Sequence, residues 1–516
     1  MTVPARITDA LVARLTARVA ASGPNNYKMV EVFTGDAVGE LPQSTPADVT
    51  EAYAKSRAAQ KEWASWPVAR RVGVFKRFHE LVLTNHELIA DLIQIGTGKN
   101  RRMAFEESCD VPFTVSYYLK AAPKLLAPIK RGGPVPFFSS STEVRKPKGV
   151  IAVIAPWNFP FAIALSDSTP ALLAGNGVVL KPDNKTALCT LYGVELLEQA
   201  GLPEGLFQVV TGEGPDIGPT MIELADYVMF TGSSATGRTI GEQAGRNLIG
   251  CSLELGGKNP LIVLDDVNLD ELLPGIIFSV FANAGQACMH IERIYVQDGV
   301  YDEFQRRFVA AAKELKIGAT YDFEPQMGSL CSVEHLNRVL AHIDDAVGKG
   351  AKVLTGGKAR PDVGPAFLEP TVLTDVTSDM VHATQETFGP VVSLYRFSSE
   401  AEAIELANDT HYGLNASVWS GDLGRAGRVA ARLEAGNINI NDGFAASYAA
   451  KASPSGGIKA SGVGARHGEA GLLKYTHPVN VAVLKKQLLG ARPNVPYASH
   501  LKQTLLTLRV MRRLGR

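Results

Sequence analysis

The stretch Val150-Ile-Ala-Val-Ile-Ala-Pro-Trp-Asn-Phe-Pro160 joins a run of apolar residues to a polar turn. Similar short apolar runs follow at residues 178–180, 207–210, 227–230 and 261–264, and amphipathic helical stretches separate most of them. Fully apolar strands that alternate with helices are typical of a parallel sheet covered on both faces. The sequence therefore predicts an α/β fold with these five runs as strands.

The polar residues that follow the strands outline a ligand site. Ligands of parallel α/β sheets bind at the carboxyl ends of the strands. Those ends carry Trp157-Asn158, Lys181-Pro182, Gly212-Glu-Gly214 and Thr231-Gly232-Ser233. We therefore expect a binding site along this edge of the sheet.

A second α/β alternation begins near Leu272 and holds a cysteine just after a helix. Its strands are predicted at residues 291–296, 370–373, 390–395 and 438–440. An apolar helical run ends in Phe281-Ala-Asn-Ala-Gly-Gln-Ala-Cys288, and a β-rich segment follows. The break at Gly285-Gln286 predicts a thiol that is presented rather than packed. Because most free cysteines are small buried hydrophobes, the break alone is weak support for a nucleophile.

Length and charge limit the classes of function. The chain has 516 residues, so two or three domains are expected, and its 52 basic and 52 acidic residues leave a formal net charge of zero. This balance indicates no nucleic-acid partner. The longest apolar stretch, residues 150–165, is short and interrupted by prolines, so we expect no membrane span. The N-terminus lacks a signal-peptide core, and residues 8–19 are predicted to form an amphipathic helix.

The five cysteines are widely scattered along the chain: Cys109, Cys189, Cys251, Cys288 and Cys331. No pair has the spacing of a metal site, a redox pair or a disulfide framework. We therefore expect no bound metal, no disulfide and a cytoplasmic location.

Three polar features have both a chemical and a purely structural interpretation. Asn158 is suited to hold an oxyanion, but an asparagine is also common in turns. Glu254 lies among leucines and glycines, a setting that raises the pKa of a carboxyl toward that of a useful base, although it could instead be exposed in a loop. The glycine-rich turn at 230–237 precedes a helix and could bind phosphate there, or Ser233 or Ser234 could simply cap that helix.

Eight short motifs occur in a fixed order: Pro156-Trp-Asn-Phe-Pro160, Leu180-Lys-Pro182, Phe230-Thr-Gly-Ser233, Leu253-Glu-Leu-Gly-Gly257, Gly285-Gln-Ala-Cys288, Gln385-Glu-Thr-Phe-Gly-Pro390, Ala407-Asn-Asp-Thr-His-Tyr-Gly413 and Gly456-Gly-Ile-Lys-Ala-Ser-Gly462. Together they resemble the aldehyde dehydrogenase family, and the resemblance covers roughly residues 32–484. It implies a Rossmann-type cofactor domain, an α/β catalytic domain and a small β oligomerisation element. The implied limits are 1–133 and 150–268 for the NAD(P)-binding domain, 269–476 for the catalytic domain, 134–149 and 477–492 for oligomerisation strands, and 493–516 for an amphipathic tail.

The resemblance also implies catalytic roles. Cys288 would attack the aldehyde carbon, and the Asn158 side chain with the Cys288 N–H would hold the oxyanion of the thiohemiacetal. Hydride transfer to the nicotinamide would leave a thioester. Glu254 would then activate the water that hydrolyses it. Many relatives carry a further glutamate near the C-terminus, but this chain has Gly464-Ala-Arg466 there, so Glu254 is expected to act alone.

The implied cofactor contacts are Lys181 on the adenine ribose, Ser233 beside Gly232 on a phosphate, Glu386 on the nicotinamide ribose, Phe388 packing nearby and Trp157 lining the cleft. Members that prefer NAD often carry a glutamate three positions after the lysine, where this chain has Asn184. Losing that carboxylate removes its repulsion of a 2′-phosphate. We therefore expect NADP to be accepted, together with NAD.

The resemblance also bears on the substrate. The chain is most similar to the branch of the family labelled NADP-type succinate-semialdehyde dehydrogenase, which makes succinate semialdehyde the first expectation. However, the arginines that clamp its carboxylate in better-known members correspond here to Ser166 and Ala282. Asp167 would repel a carboxylate, and Arg293 or Arg466 could replace the missing clamp. Oxidation of a medium-chain or aromatic aldehyde stays open.

Two other classes of function stay in view. Relatives that transfer the acyl group to coenzyme A generally lack the base, so the presence of Glu254 argues against that reaction. A binding protein that reuses the fold would be expected to lose Cys288 or Glu254, and both are present. The strand-like run at 479–484 and the habit of the family predict a homodimer or homotetramer. The tail at 501–516 is predicted to be a basic amphipathic helix.

Overall fold

The computed structural model describes residues 3–133, 138–485 and 494–513 of the chain. The chain divides into a larger unit, Met1–Leu125 with Pro147–Thr476, and a smaller unit, Leu126–Lys146 with His477–Arg516. The larger unit holds two large sheets, the helices that cover them, and a short hairpin of Asn26–Val30 with Ala37–Pro42. The domain limits expected from the sequence stay predictions.

A six-stranded sheet in the described part of the larger unit contains the first group of predicted strands. Its spatial order is Gly462–Val463, Gly250–Glu254, Tyr227–Thr231, Val150–Ile154, Gly177–Lys181 and Phe207–Val209. Neighbouring strands are parallel except for the first pair. The strands predicted at 150–154, 178–180, 207–210 and 227–230 are thereby confirmed as neighbours. Their side chains are nearly all buried, as expected for a sheet covered on both faces.

The grouping of the fifth predicted strand is wrong. Residues 261–264 do lie largely in a strand, Asn259–Val263, but it pairs with Ile291–Gln297 and Asn415–Trp419 in the other large sheet. Apolar composition indicates burial on both faces and says nothing about which sheet a strand joins. The strand Gly250–Glu254 was not predicted, because its sequence of Gly-Cys-Ser-Leu-Glu is not a continuous apolar run.

The second large sheet has seven strands within the described residues. Its spatial order is Lys352–Thr355, Thr371–Thr374, Val391–Phe397, Ile291–Gln297, Asn259–Val263, Asn415–Trp419 and Asn437–Ile440. The first pair is antiparallel and the other pairs are parallel. This confirms the strands predicted after Leu272. A buried cluster that includes Ile294, Phe304 and Leu394 packs helices against this sheet.

The α-helices of the larger unit are Asp9–Thr16, Pro46–Ser65, Val68–Thr84, His86–Thr97, Arg101–Leu125, Pro160–Leu173, Ala187–Gln199, Gly214–Leu224, Ser234–Arg246, Leu269–Phe281, Tyr301–Lys313, Val333–Gly348, Val381–Thr384, Glu400–Asn408, Leu423–Ala430, Ala445–Ala449 and Gly468–Leu473. Short 3₁₀ turns lie at Asn184–Thr186, Ala282–Gly285 and Lys459–Ser461. The predicted N-terminal helix is confirmed, and its cap is Thr8, whose hydroxyl accepts the Leu11 N–H at 3.2 Å.

The smaller unit contains a three-stranded sheet in the order Thr476–Leu484, Ser139–Pro147 and Ile129–Gly132. The strand predicted at 479–484 lies within the first of these, at an edge of the sheet. The predicted C-terminal helix spans Tyr497–Arg513, and the last three residues of that prediction lie outside the described residues. None of the helices described here combines the length and the apolar character that crossing a bilayer requires.

Candidate active site

Cys288 is presented by an irregular turn, as the sequence predicts. The helix Leu269–Phe281 ends in a turn where Asn283 and Ala284 both have φ of 53° and Gly285 has φ of 69°. A side chain at Gly285 would place its Cβ 2.0 Å from the Gly389 carbonyl oxygen, so only glycine fits there. The turn leaves Cys288 between a helix and a strand, with part of its surface accessible.

Asn158 lies beside this turn. Its Nδ2 donates to the Gln286 carbonyl at 3.1 Å, and its own carbonyl accepts from Lys99 Nζ at 2.7 Å. The Lys99 ammonium also pairs with the buried Glu107 carboxylate at 2.5 Å, which fixes the Asn158 backbone. The Cys288 N–H makes no hydrogen bond with a described residue. The Asn158 amide and the Cys288 N–H are both neutral donors, and donors of this kind can stabilise an oxyanion.

Glu254 is the last residue of the strand Gly250–Glu254 and is buried, with 5% of its surface exposed. No described residue donates a hydrogen bond to its Oε1. Burial raises the pKa of the Glu254 carboxyl to about 7, against the lowering effect of Arg466 and Lys474. A carboxyl with this pKa is half ionised near neutral pH, which suits a general base.

Cys288 lies on the walls of two cavities. The first has a volume of about 300 Å³ and also includes Asn158, Glu254 and Glu386. The second has a volume of about 170 Å³ and is lined mainly by aromatic and aliphatic side chains. Burial raises the pKa of the Cys288 thiol to about 12, while Arg466 acts in the opposite direction. Burial therefore favours the neutral thiol, and the positive charge of Arg466 favours the thiolate that acts as the nucleophile.

The first cavity brings together most of the predicted cofactor residues: Trp157, Gly232, Ser233, Glu386 and Phe388. Ser233 also caps the helix Ser234–Arg246, so the capping role left open by the sequence is present as well. Phe388 stands edge-on to Trp157 at a centroid distance of 5.5 Å. Glu386 accepts the Gly257 N–H at 2.9 Å, and burial raises the pKa of its carboxyl to about 8.

Lys181 and Asn184 are not on the wall of this cavity. The Asn184 side chain donates to Gln43 and Glu213, each at 3.1 Å, and accepts the Gly212 N–H at 3.2 Å. Its side chain therefore connects the segment of Gln43 with the segment of Gly212 and Glu213. Burial lowers the pKa of the Lys181 ammonium.

Sequence reasoning missed several residues of the first cavity: Cys331, Ser332, Glu334, His335 and Arg338. Four of them belong to or cap the helix Val333–Gly348, which lies outside the eight motifs. Burial lowers the pKa of His335 to about 4, and its Nε2 lies 2.7 Å from the Phe388 carbonyl oxygen, so a neutral ring donates there. A Ser cap before a helix that carries His335 and Arg338 was the available signal, but such a pattern is common on protein surfaces.

The second cavity combines an aromatic wall with buried charge. Its aromatic members are Phe113, Phe159, Phe278, Phe444 and Tyr448. Phe278 stacks on Phe444 at a centroid distance of 5.7 Å. The buried cations on the same wall are Lys451 and Arg466.

The structure shows the contacts of the residues that the sequence analysis considered for a substrate carboxylate. Ser166 donates to Asp110 at 2.6 Å, and neither Ser166 nor Ala282 lines the second cavity. Asp167 pairs with Arg466 at 3.1 Å, so its charge is compensated. Arg293 is buried and donates to the backbone carbonyls of residues 258, 406 and 407, which removes it from the cavity.

Comparison with known proteins places these features in one family. The model of the aldehyde dehydrogenase family matches residues 19–481, so this chain belongs to that family and is an aldehyde-oxidising oxidoreductase. A protein of Mycolicibacterium smegmatis named "putative succinate-semialdehyde dehydrogenase, NADP(+)" is 50% identical over 92% of each chain. The 3-sulfolactaldehyde dehydrogenase of Pseudomonas putida is 37% identical over 89% of this chain and 93% of its own.

Solved structures confirm the predicted fold. The crystal structure of betaine aldehyde dehydrogenase from Staphylococcus aureus in complex with NAD+ is 31% identical and has a TM-score of 0.88. The match covers 93% of this chain and 97% of that chain. The resemblance inferred from eight motifs is thereby confirmed at the level of fold and family.

Proposed function

We propose that this chain oxidises a short aldehyde to its carboxylic acid with NADP or NAD, using Cys288 as the nucleophile. The observation that carries the proposal is that Cys288 belongs to the walls of both cavities. A thiol in this position can bond an aldehyde carbon from one side while an acceptor lies on the other. Positioning of this kind replaces a bimolecular encounter with a prearranged one.

The groups of the first cavity fit a nicotinamide dinucleotide. Gly232 and Ser233 stand at the N-terminus of the helix Ser234–Arg246, where backbone N–H groups favour phosphate. The Glu386 carboxylate can accept a ribose hydroxyl, and Lys185 and Arg338 add positive charge to the wall. When bound, the nicotinamide supplies the hydride acceptor.

The first chemical step forms a bond between Cys288 Sγ and the aldehyde carbon. The thiol proton is lost to solvent water in the cavity, and the Glu254 carboxylate on the same cavity wall stays available for the second step. The carbonyl oxygen becomes an oxyanion, which the Asn158 amide and the Cys288 N–H stabilise. Loss of hydride from the carbon then leaves a thioester on Cys288.

The second step hydrolyses the thioester. Glu254 removes a proton from water as the water oxygen adds to the thioester carbon, and the same donors hold the new oxyanion. The carbon–sulfur bond then breaks, releasing the acid and the Cys288 thiolate, which is reprotonated. Because Arg466 stands where relatives carry a further glutamate, this step depends on Glu254.

We propose succinate semialdehyde, a short aldehyde with a distal carboxylate, as the substrate. The names of the relatives from Mycolicibacterium smegmatis and Pseudomonas putida both refer to aldehydes that carry an anionic group. The buried guanidinium of Arg466 on the wall of the second cavity supports the same class. A medium-chain or aromatic aldehyde is the second candidate, because the wall also holds the stacked pair Phe278 and Phe444.

An aldehyde panel tests this proposal. We expect kcat/KM for succinate semialdehyde to exceed that for butanal, which has the same number of carbons and lacks the carboxylate. Higher values for octanal or benzaldehyde would favour the second candidate. Steady turnover that requires added coenzyme A would show acyl transfer in place of hydrolysis, and cofactor reduction should be lost in Cys288→Ser.

We also propose that the protein assembles through the edge strand Thr476–Leu484. Val481, Val483 and Leu484 on this strand are each nearly half exposed, and an edge strand offers unpaired backbone groups to a second copy. A homodimer or homotetramer is expected. The described cysteines are all unpaired, which supports a reducing, cytoplasmic location.

A further inference from the structure

The second cavity holds two buried cations whose surroundings differ. Lys451 Nζ pairs with Asp110 at 2.5 Å and lies 3.0 Å from His467 Nε2. It also lies 4.1 Å from the centre of the Tyr448 ring. An ammonium has three N–H donors, and Asp110, His467 and the Tyr448 ring already surround the ammonium of Lys451.

Arg466 keeps one buried donor, its Nε, free of any acceptor among the described residues. Only 7% of its surface is exposed, and both of its side-chain hydrogen bonds come from Nη2, to Asp167 at 3.1 Å and to Thr231 at 2.8 Å. Its Nε is buried and has no acceptor among the described residues. A guanidinium presents five N–H donors in a planar fork, so one edge can bind Asp167 while another binds a second carboxylate.

We propose that Arg466 binds the distal carboxylate of the substrate, in place of the arginines absent at Ser166 and Ala282. This inference rests on the proposed succinate-semialdehyde substrate. Arg466 lines the same cavity as the nucleophile Cys288, so one short molecule can meet both. The positive charge of Arg466 also lowers the pKa of the Cys288 thiol, whereas burial raises it.

The other charged groups of the wall do not compete for this role. Lys451 and Asp110 neutralise each other, and Glu107 pairs with Lys99. Glu106 is exposed at the cavity, where water screens its charge. A carboxylate inside the cavity therefore finds its unsatisfied donor on Arg466.

Two charge-neutral double variants test the assignment. Arg466→Gln with Asp167→Asn removes one buried pair, and Lys451→Gln with Asp110→Asn removes the other, so each leaves the net charge unchanged. The readout is the ratio of kcat/KM for succinate semialdehyde to kcat/KM for butanal. A general effect on Glu254 or Cys288 cancels in this ratio.

We expect the first double variant to lower the ratio by about 10- to 150-fold, the range for loss of a charged hydrogen bond. The second double variant should keep the ratio of the wild type. If the second variant loses the preference, or the first retains it, the assignment of Arg466 is wrong. If the wild type shows no preference for succinate semialdehyde, the proposed substrate fails together with it.

A single substitution gives a second test in case a double variant fails to fold. Arg466→Lys keeps the charge but loses the planar fork, so it should lower the ratio less than the double variant does. Competition by succinate and by butyrate against carbamidomethylation of Cys288 provides a second readout without turnover. Protection by succinate alone, weakened in Arg466→Lys, supports the assignment. Equal protection by both acids in the wild type overturns it.

Discussion

The pH dependence of thioester hydrolysis follows from the environment of Glu254. Burial raises the pKa of this carboxyl to about 7, so its carboxylate form exists above that pH and is lost below it. Hydrolysis requires the carboxylate to accept a proton from water. The rate should therefore be near half its maximum at pH 7 and about one-tenth at pH 6, because each pH unit below the pKa lowers the ionised fraction about tenfold.

Single-turnover and steady-state measurements separate this step from hydride transfer. Below pH 7, cofactor reduction should show a burst of about one equivalent per site, followed by slow turnover limited by hydrolysis. Glu254→Gln should give the same burst at all pH values and lower the steady rate by about 10² to 10⁴, the usual contribution of a general base. A glutamine of similar volume keeps the packing, so it is the matched control for the ionisable group.

Two results would refute this reasoning. One is a steady rate that stays constant between pH 6 and pH 8 in the wild type. The other is a Glu254→Gln variant that loses the burst while keeping steady turnover, since a base for hydrolysis has no such effect.

Three further predictions concern the fold, the cofactor and assembly. Gly285→Ala should lower the free energy of unfolding, measured with denaturant, by at least about 1–3 kcal/mol. The added Cβ would collide with the Gly389 carbonyl oxygen, and the residue has a positive φ. An unchanged free energy of unfolding would contradict this. Glu213→Gln should raise kcat/KM for NADP relative to kcat/KM for NAD. Asn184 holds the Glu213 carboxylate near the strand ends where a 2′-phosphate is expected, and the two negative charges would repel each other. An unchanged ratio of the two values would place the phosphate elsewhere. Val481→Lys should lower the mass of the assembly measured by light scattering, because it places a charge on the exposed edge strand. An unchanged mass would exclude this edge from assembly.

The sequence predicted the strands best where both faces are buried. The run at 150–154 is continuous and apolar, so its composition alone identifies it. The strand Gly250–Glu254 has an irregular composition, and only its partners in space make it a strand. The strand Asn259–Val263 was assigned to the wrong sheet, since its pairing with Ile291–Gln297 is a tertiary property.

In the candidate site, too, local motifs could be read from the sequence and contacts between distant segments could not. Cys288 and Asn158 could be inferred from motifs, because a turn brings each to the end of a local element. The sequence named Arg466 only as one possible cation, and its free Nε and its pairing with Asp167 depend on contacts distant in the chain. The cofactor role of Asn184 stays a prediction, and the sequence could not show that its side chain forms hydrogen bonds with distant segments.

The central claim is that Cys288 carries the acyl group between the two cavities. Glu254→Gln can be mixed with succinate semialdehyde and NADP, quenched in acid during the burst, and digested for peptide mass analysis. We predict a succinyl group on the peptide that contains Cys288. Cys331 also lines the first cavity, so a succinyl group on Cys331, or on neither cysteine, would contradict the account.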